Sequence, residues 1–191
     1  MQVTSSVQRA LATRFARATI RPSNQAAVSK VADRIVKSRA VYEEVAKKVG
    51  LVPWWVVGII HGLECNFSFS QHLHNGDPLS SYTKNVPRGR PVGVGKPPFP
   101  WEVSAVDALR YDQFDLVKNW SLGPALDSLE KYNGLGYRKR GIVSPYLWSF
   151  TSEYMKGKFV RDGVFDANAV SAQVGAAAAL KELEKRGVVS F

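Results

Sequence analysis

One cysteine, Cys65, is present in 191 residues, so no intramolecular disulfide can form and a packed core must hold the fold. A chain of this length can do so, because one domain of this size buries about 70% of its unfolded surface. No CxxC pair and no HExxH pattern occurs, and His72 and His74 alternate rather than follow helical spacing, so no metal site is expected. The Gly93-Val94-Gly95 step lacks the strand, helix and third glycine of a dinucleotide loop, so no nucleotide cofactor is implied. No apolar run is long enough to cross a bilayer, and residues 1–21 have no apolar h-region, so neither a membrane span nor an ordinary secretory signal is expected. No internal repeat is apparent.

Acidic residues are also scarce at the start. Residues 1–50 hold ten Lys or Arg against three acids, a local charge of +7 in a chain of net +10. Residues 1–40 therefore read as a basic arm or helix, followed by the main domain over 41–191. A basic surface concentrates anionic polymers, and the cell envelope and nucleic acid both qualify. A solvated basic face is the plain alternative.

What the chain has instead is helical patterning. Asn24 or Ser23 can cap a helix running to about Lys48, with Val28, Val31, Ile35, Val41 and Val45 on one face. An uncharged run from Leu51 to Ile60, with Pro53 near its start, predicts a core helix over Trp54–Glu64. Helical spacing recurs over Trp101–Arg110, Asp112–Asn119 and Leu122–Tyr132. A last helix, capped by Asp166 or Asn168, is expected to reach Lys185. Residues 65–100 are dense in Pro, Gly, Asn and Asp and predict a small irregular or β-rich lobe.

The core helix ends at Glu64. A carboxyl after such an apolar run is only partly solvated, and desolvation disfavours its charged form, which suits a general acid. Asp77 lies 13 positions on, too far for the same helical face, so the two can flank a cleft only if the chain folds back. One acid and one water-activating carboxylate are what glycoside hydrolysis by inversion needs. Thr83 follows Asp77 with five residues between and could help to hold that water. Cys65 beside His61, His72 or His74 could form a nucleophilic dyad if the groups met, but a small buried hydrophobe is the plainer role.

The Glu64, Asp77 and Thr83 pattern resembles the lysozyme superfamily of peptidoglycan-cleaving muramidases, in particular phage-type endolysins. The Glu-to-Asp spacing is longer here than in that family. Downstream, Lys131-Tyr-Asn-Gly-Leu-Gly-Tyr137 and Ser144-Pro-Tyr-Leu-Trp148 resemble segments that line the sugar cleft of lysozyme-like glycosidases, and the likeness spans roughly residues 40–185. It implies a mainly α, α+β lysozyme-like fold of two lobes with a cleft between them. Glu64 would be the acid, Asp77 with Thr83 would position water, and His74, Tyr132, Asn133, Tyr137 and Tyr146 would hold the glycan. No metal or organic cofactor is implied. The expected partner is the peptidoglycan strand, with the basic N-terminus on the anionic envelope, no stable nucleic-acid complex and a monomeric state. The protein would be made in the cytoplasm and act on the bacterial wall. Lytic transglycosylation by Glu64 alone, chitin cleavage and a noncatalytic glycan-binding or phage structural role are the alternatives.

Overall fold

The structure is a computed structural model that describes residues 5–161 and 163–191. Helices hold 51% of the chain, and the sheet among the described residues is one two-stranded hairpin, so the fold is mainly α. None of the described helices is long and apolar enough to cross a membrane. The chain divides into two compact units, one made of the residues up to Asp33 with Ser121–Phe191, the other of Arg34–Trp120.

In the first unit, the basic N-terminal segment is a folded helix. Helix α1, Ser6–Arg17, starts with a reciprocal capping box: Gln8 N donates to Ser5 Oγ at 3.2 Å and Ser5 N donates to Gln8 Oε1 at 3.0 Å. It packs on α6, Leu122–Tyr132. Gly123 makes the approach possible, because a Cβ there would lie 2.6 Å from the Gln8 carbonyl oxygen. Gly123→Ala gains up to about 1 kcal/mol of helix propensity, yet it must push backbone against backbone, an overpacking cost of about 1–3 kcal/mol. A net loss of about 1–2 kcal/mol is expected in urea unfolding; an unchanged midpoint would mean that α1 is not seated on α6 in solution.

The unit is completed by the short helices α7, Gly136–Lys139, and α8, Pro145–Trp148, the hairpin β1, Lys158–Arg161, with β2, Val164–Asp166, and α9, Ala176–Lys185. The strands are antiparallel, with Lys158 opposite Asp166 and Phe159 opposite Phe165. The four alanines 176–179 are all buried, and α9 packs on α8. This last helix is shorter than the sequence reading had it. Asp166 Oδ1 accepts the backbone N–H groups of Asn168 and Ala169 at 2.8 and 3.2 Å, closing a turn rather than capping a helix, and Gly175 is the N-cap residue.

In the second unit, the helix expected over 24–48 is two. Helix α2, Gln25–Lys37, which begins in the first unit, ends at Ser38, and α3 runs over Arg39–Val49. The core helix α4, Trp54–Cys65, packs on α3, and α3 packs on α5, Trp101–Tyr111. Seven consecutive residues of α4, Trp55 to His61, are buried, as its unbroken apolar sequence requires. Gly58 lets Ile35 and the Tyr42 ring reach its backbone, since a Cβ there would sit 2.8–3.0 Å from them. The helix expected over 112–119 is only a 3-10 turn, Phe114–Leu116. Between Asn66 and Pro100 the described residues form neither helix nor strand apart from an isolated Gln71–Pro78 bridge, so this segment is irregular and not β-rich.

Candidate active site

Helix α4 stops at Asn66, a left-handed residue at φ 45°. Arg34 fixes this end: its guanidinium donates to Asn66 Oδ1 at 3.1 Å and to the Asn66 carbonyl at 2.8 Å, and it lies 4.4 Å from the centre of the Phe67 ring. A cation at a helix C-terminus meets the negative end of the dipole. Glu64, one residue before the helix ends, is half-buried.

The chain then folds back onto this end. Gly76, at φ +76°, passes so near that a Cβ would stand 3.1 Å from the Glu64 carbonyl oxygen. The Cys65 thiol donates to the His72 carbonyl at 3.2 Å from the other side of the same loop. Cys65 is 3% exposed, and burial, with the adjacent Glu64 charge, pushes its thiol up to about 12. It is therefore a protonated small hydrophobe at neutral pH, and the nucleophilic Cys-His pair has no basis.

The returning loop places Asp77 next to Gly76, where its carboxylate organises the chain. Oδ2 accepts the backbone N–H groups of Lys84 and Asn85 at 2.8 and 2.9 Å, and Oδ1 accepts Asn85 Nδ2 at 2.7 Å. Burial disfavours the charge, but these donors outweigh it and hold the carboxyl below its usual range. Thr83 is also committed: its hydroxyl donates to the Pro87 carbonyl and accepts the Arg90 N–H at 2.9 Å. The water-holding role expected for Thr83 finds its hydroxyl proton already used within the loop.

One stripe of α5 receives all three histidines. Trp101, Ser104 and Asp107, three residues apart and so on adjacent turns, face His61, His72 and His74 in that order. The Trp101 and His61 rings lie 4.4 Å apart. His61 Nε2 lies 3.1 Å from the Ser68 carbonyl, which can only accept, so this nitrogen carries the proton and Nδ1 takes the Tyr42 hydroxyl at 2.9 Å. His72 repeats the scheme, Nε2 donating to the Ser81 carbonyl at 2.8 Å and Nδ1 pairing with Ser104 Oγ at 2.7 Å. His74 Nε2 donates to Asp107 Oδ2 at 2.9 Å. Arg90 grips the same carboxylate bidentately at 2.8 and 2.6 Å.

Burial lowers both His61 and His74, in the second case against the pull of Asp107. Both are neutral at pH 7. His74 is a buried packing residue with 1% of its side chain exposed, so the contact with glycan expected of it would require the loop to open. Among the described residues, no group of three or more His, Cys, Asp or Glu could hold a metal ion.

The His61 environment sets a pH dependence. Its value falls from 6.5 to about 4 on folding, so between these limits the unfolded chain binds a proton that the folded chain refuses. The stability this group contributes is present above about pH 6.5 and is lost as pH drops toward 4, by about 3 kcal/mol. Urea unfolding across this window should show that slope together with the one from His74, and His61→Gln should make it shallower while lowering stability at pH 7. Parallel slopes for the two proteins would refute the assignment.

The expected glycan-holding residues Tyr132, Asn133, Tyr137 and Tyr146 all belong to the first unit. Asn133 is exposed at the end of α6, and Tyr132 is half-buried. Tyr137 and Tyr146 are buried; the Tyr137 hydroxyl accepts the Phe159 N–H at 2.9 Å and its ring meets Phe159 edge-on at 4.9 Å. Tyr137 is thus the link between α7 and the hairpin. Two residues that sequence patterning missed, Asp107 and Arg90, tie the loop to α5. The available signal was an acid inside the apolar Ser104-Ala-Val-Asp-Ala-Leu109 stretch.

Compared with protein-family models, curated proteins and solved structures, the chain matches none.

Proposed function

We propose that this chain is a peptidoglycan hydrolase of the muramidase type, cleaving the β-1,4 bond between N-acetylmuramic acid and N-acetylglucosamine. The observation that supports it is the return of the chain at Gly76 onto the Glu64 carbonyl, which brings the Asp77 segment back to the helix end that carries Glu64. Two carboxylates 13 positions apart in sequence can share a site only after such a return. Glu64 protonates the glycosidic oxygen as general acid, and its carboxylate then takes the proton of the water that adds to the sugar carbon. Asp77, ionised and tied to Lys84 and Asn85, holds the loop in place and contributes negative charge near the developing oxocarbenium ion. Tyr132 and Asn133 are the glycan-holding candidates, and a lysozyme-like fold is part of the proposal. The site of action is the bacterial wall.

A second reading, lytic transglycosylation, is favoured by one observation: Asp77 already accepts three N–H groups. An enzyme with Glu64 alone as acid and then base would use the sugar's own hydroxyl in place of water. Digestion of purified peptidoglycan, with soluble products identified by mass spectrometry, separates the two. Reducing muramic acid ends mean hydrolysis, and anhydro ends mean transglycosylation. No soluble product, with binding retained, would sink both and leave a glycan-binding module.

A further inference from the structure

The first unit contains a concavity that the proposed chemistry does not use. Helix α1 forms one wall with Val7, Leu11 and Arg14, and the segment around Ile142, Ser144 and Trp148 forms the other. Its volume is about 490 Å³, within the range that holds small organic ligands.

Two features of the lining point to what it binds. Ser144 is 2% exposed, and its hydroxyl has no hydrogen-bond partner among the described residues. Buried hydroxyls are normally paired, so a group entering the concavity would satisfy it. The second feature is charge. Glu153 serves two guanidinium groups: Arg17 binds both of its oxygens, at 3.1 and 2.8 Å, whereas Arg14 Nε stays 3.7 Å away. Arg138 and Lys131 are balanced by Glu130 and Asp127. Among these seven described side chains, four cations meet three carboxylates, and Arg14 is the cation with the weaker hold on Glu153. Its guanidinium lies 5.6 Å from the centre of the Trp148 ring, in the same concavity as Ser144.

We propose that this concavity binds an amphipathic monocarboxylate. The carboxylate takes the Arg14 guanidinium and the Ser144 hydroxyl, and the hydrocarbon lies along Val7, Leu11, Ile142 and Trp148. A phosphate monoester brings nearly two charges against an excess of one, and a neutral lipid leaves Arg14 unmatched. The Arg14 and Leu11 wall on α1 lies outside the span of the muramidase resemblance, whereas Ser144 and Trp148 lie within it, and neither Glu64 nor Asp77 belongs to the lining.

The test is isothermal titration of the full chain with decanoate, well below its micellar concentration, with decanol and inorganic phosphate as comparisons. Saturable 1:1 binding of decanoate is expected, at least tenfold tighter than decanol, with no binding of phosphate. Leu11→Trp fills the concavity and should weaken decanoate at least tenfold with an unchanged thermal midpoint. If that variant does not fold, Arg14→Gln carries the test and should erase the preference for decanoate over decanol. Absent saturable heat, equal affinity for decanol, or decanoate binding untouched by the folded variant would overturn the proposal.

Discussion

On the proposed muramidase chemistry, Glu64→Gln is expected to lower peptidoglycan cleavage about 10³-fold, with affinity for the polymer within about twofold of the parent. Positioned general acids contribute typically 10²–10⁴-fold, and a glycosidic oxygen leaves poorly without a proton. The amide keeps the size of the carboxyl and cannot donate a proton to the leaving group. Glu64 sits one residue from the end of α4 and is half-buried, so the exchange, which keeps the side-chain volume, creates no cavity. The informative quantity is the ratio of the two effects. Rate lost with binding and stability retained identifies a group acting at the transition state. Activity within tenfold of the parent would remove Glu64 from the mechanism.

Asp77→Ala is expected to cost about 3–5 kcal/mol of stability. The substitution leaves the N–H groups of Lys84 and Asn85 and the Asn85 amide without their acceptor, and each unsatisfied buried donor costs about 1–3 kcal/mol. Partial access of water at a site 9% exposed keeps the sum below the maximum. At about 2–4 °C per kcal/mol for a chain of this size, the thermal midpoint should fall by roughly 10 °C. Activity should fall with it, because the loop between Asp77 and Arg90 would lose its register. A carboxylate acting directly on water predicts the opposite division, a large rate loss with an unmoved midpoint. The pH response gives a second check. A carboxyl held below its ordinary range contributes stability at neutral pH that is lost as acid protonates it, and that contribution should vanish in the variant.

Local sequence signals were good guides where one residue decides the outcome. The uncharged run after Pro53 and the periodicity of 122–132 mark α4 and α6 closely, because burial of a continuous apolar surface needs little help from distant residues. The same logic misplaced the break at Ser38, where helical periodicity continues on both sides and only the packing separates α2 from α3. It also made a helix of 112–119, where Gln113 takes a left-handed conformation at φ 61° and ends the pattern. Asp77 was visible as part of a turn, since Asn-Gly-Asp-Pro has few other uses. Its donors were not, because Lys84 and Asn85 reach it only through the fold of the loop. The histidines carried the least information. Their hydrogen-bonded placement depends on Tyr42, Ser104 and Asp107, at separations of 19, 32 and 33 positions, which no spacing rule connects.

The two units differ in how the chain supplies them. Arg34–Trp120 is one uninterrupted stretch, so all of its contacts can form as soon as that stretch has left the ribosome. The other unit joins the residues up to Asp33 to a segment that starts at Ser121. Until α6 has been synthesised, α1 has no Gly123 surface to rest on, and its apolar side, with Phe15, stays uncovered. Seating of α1 therefore waits for a segment made more than a hundred positions later, a contact of long sequence separation within one unit.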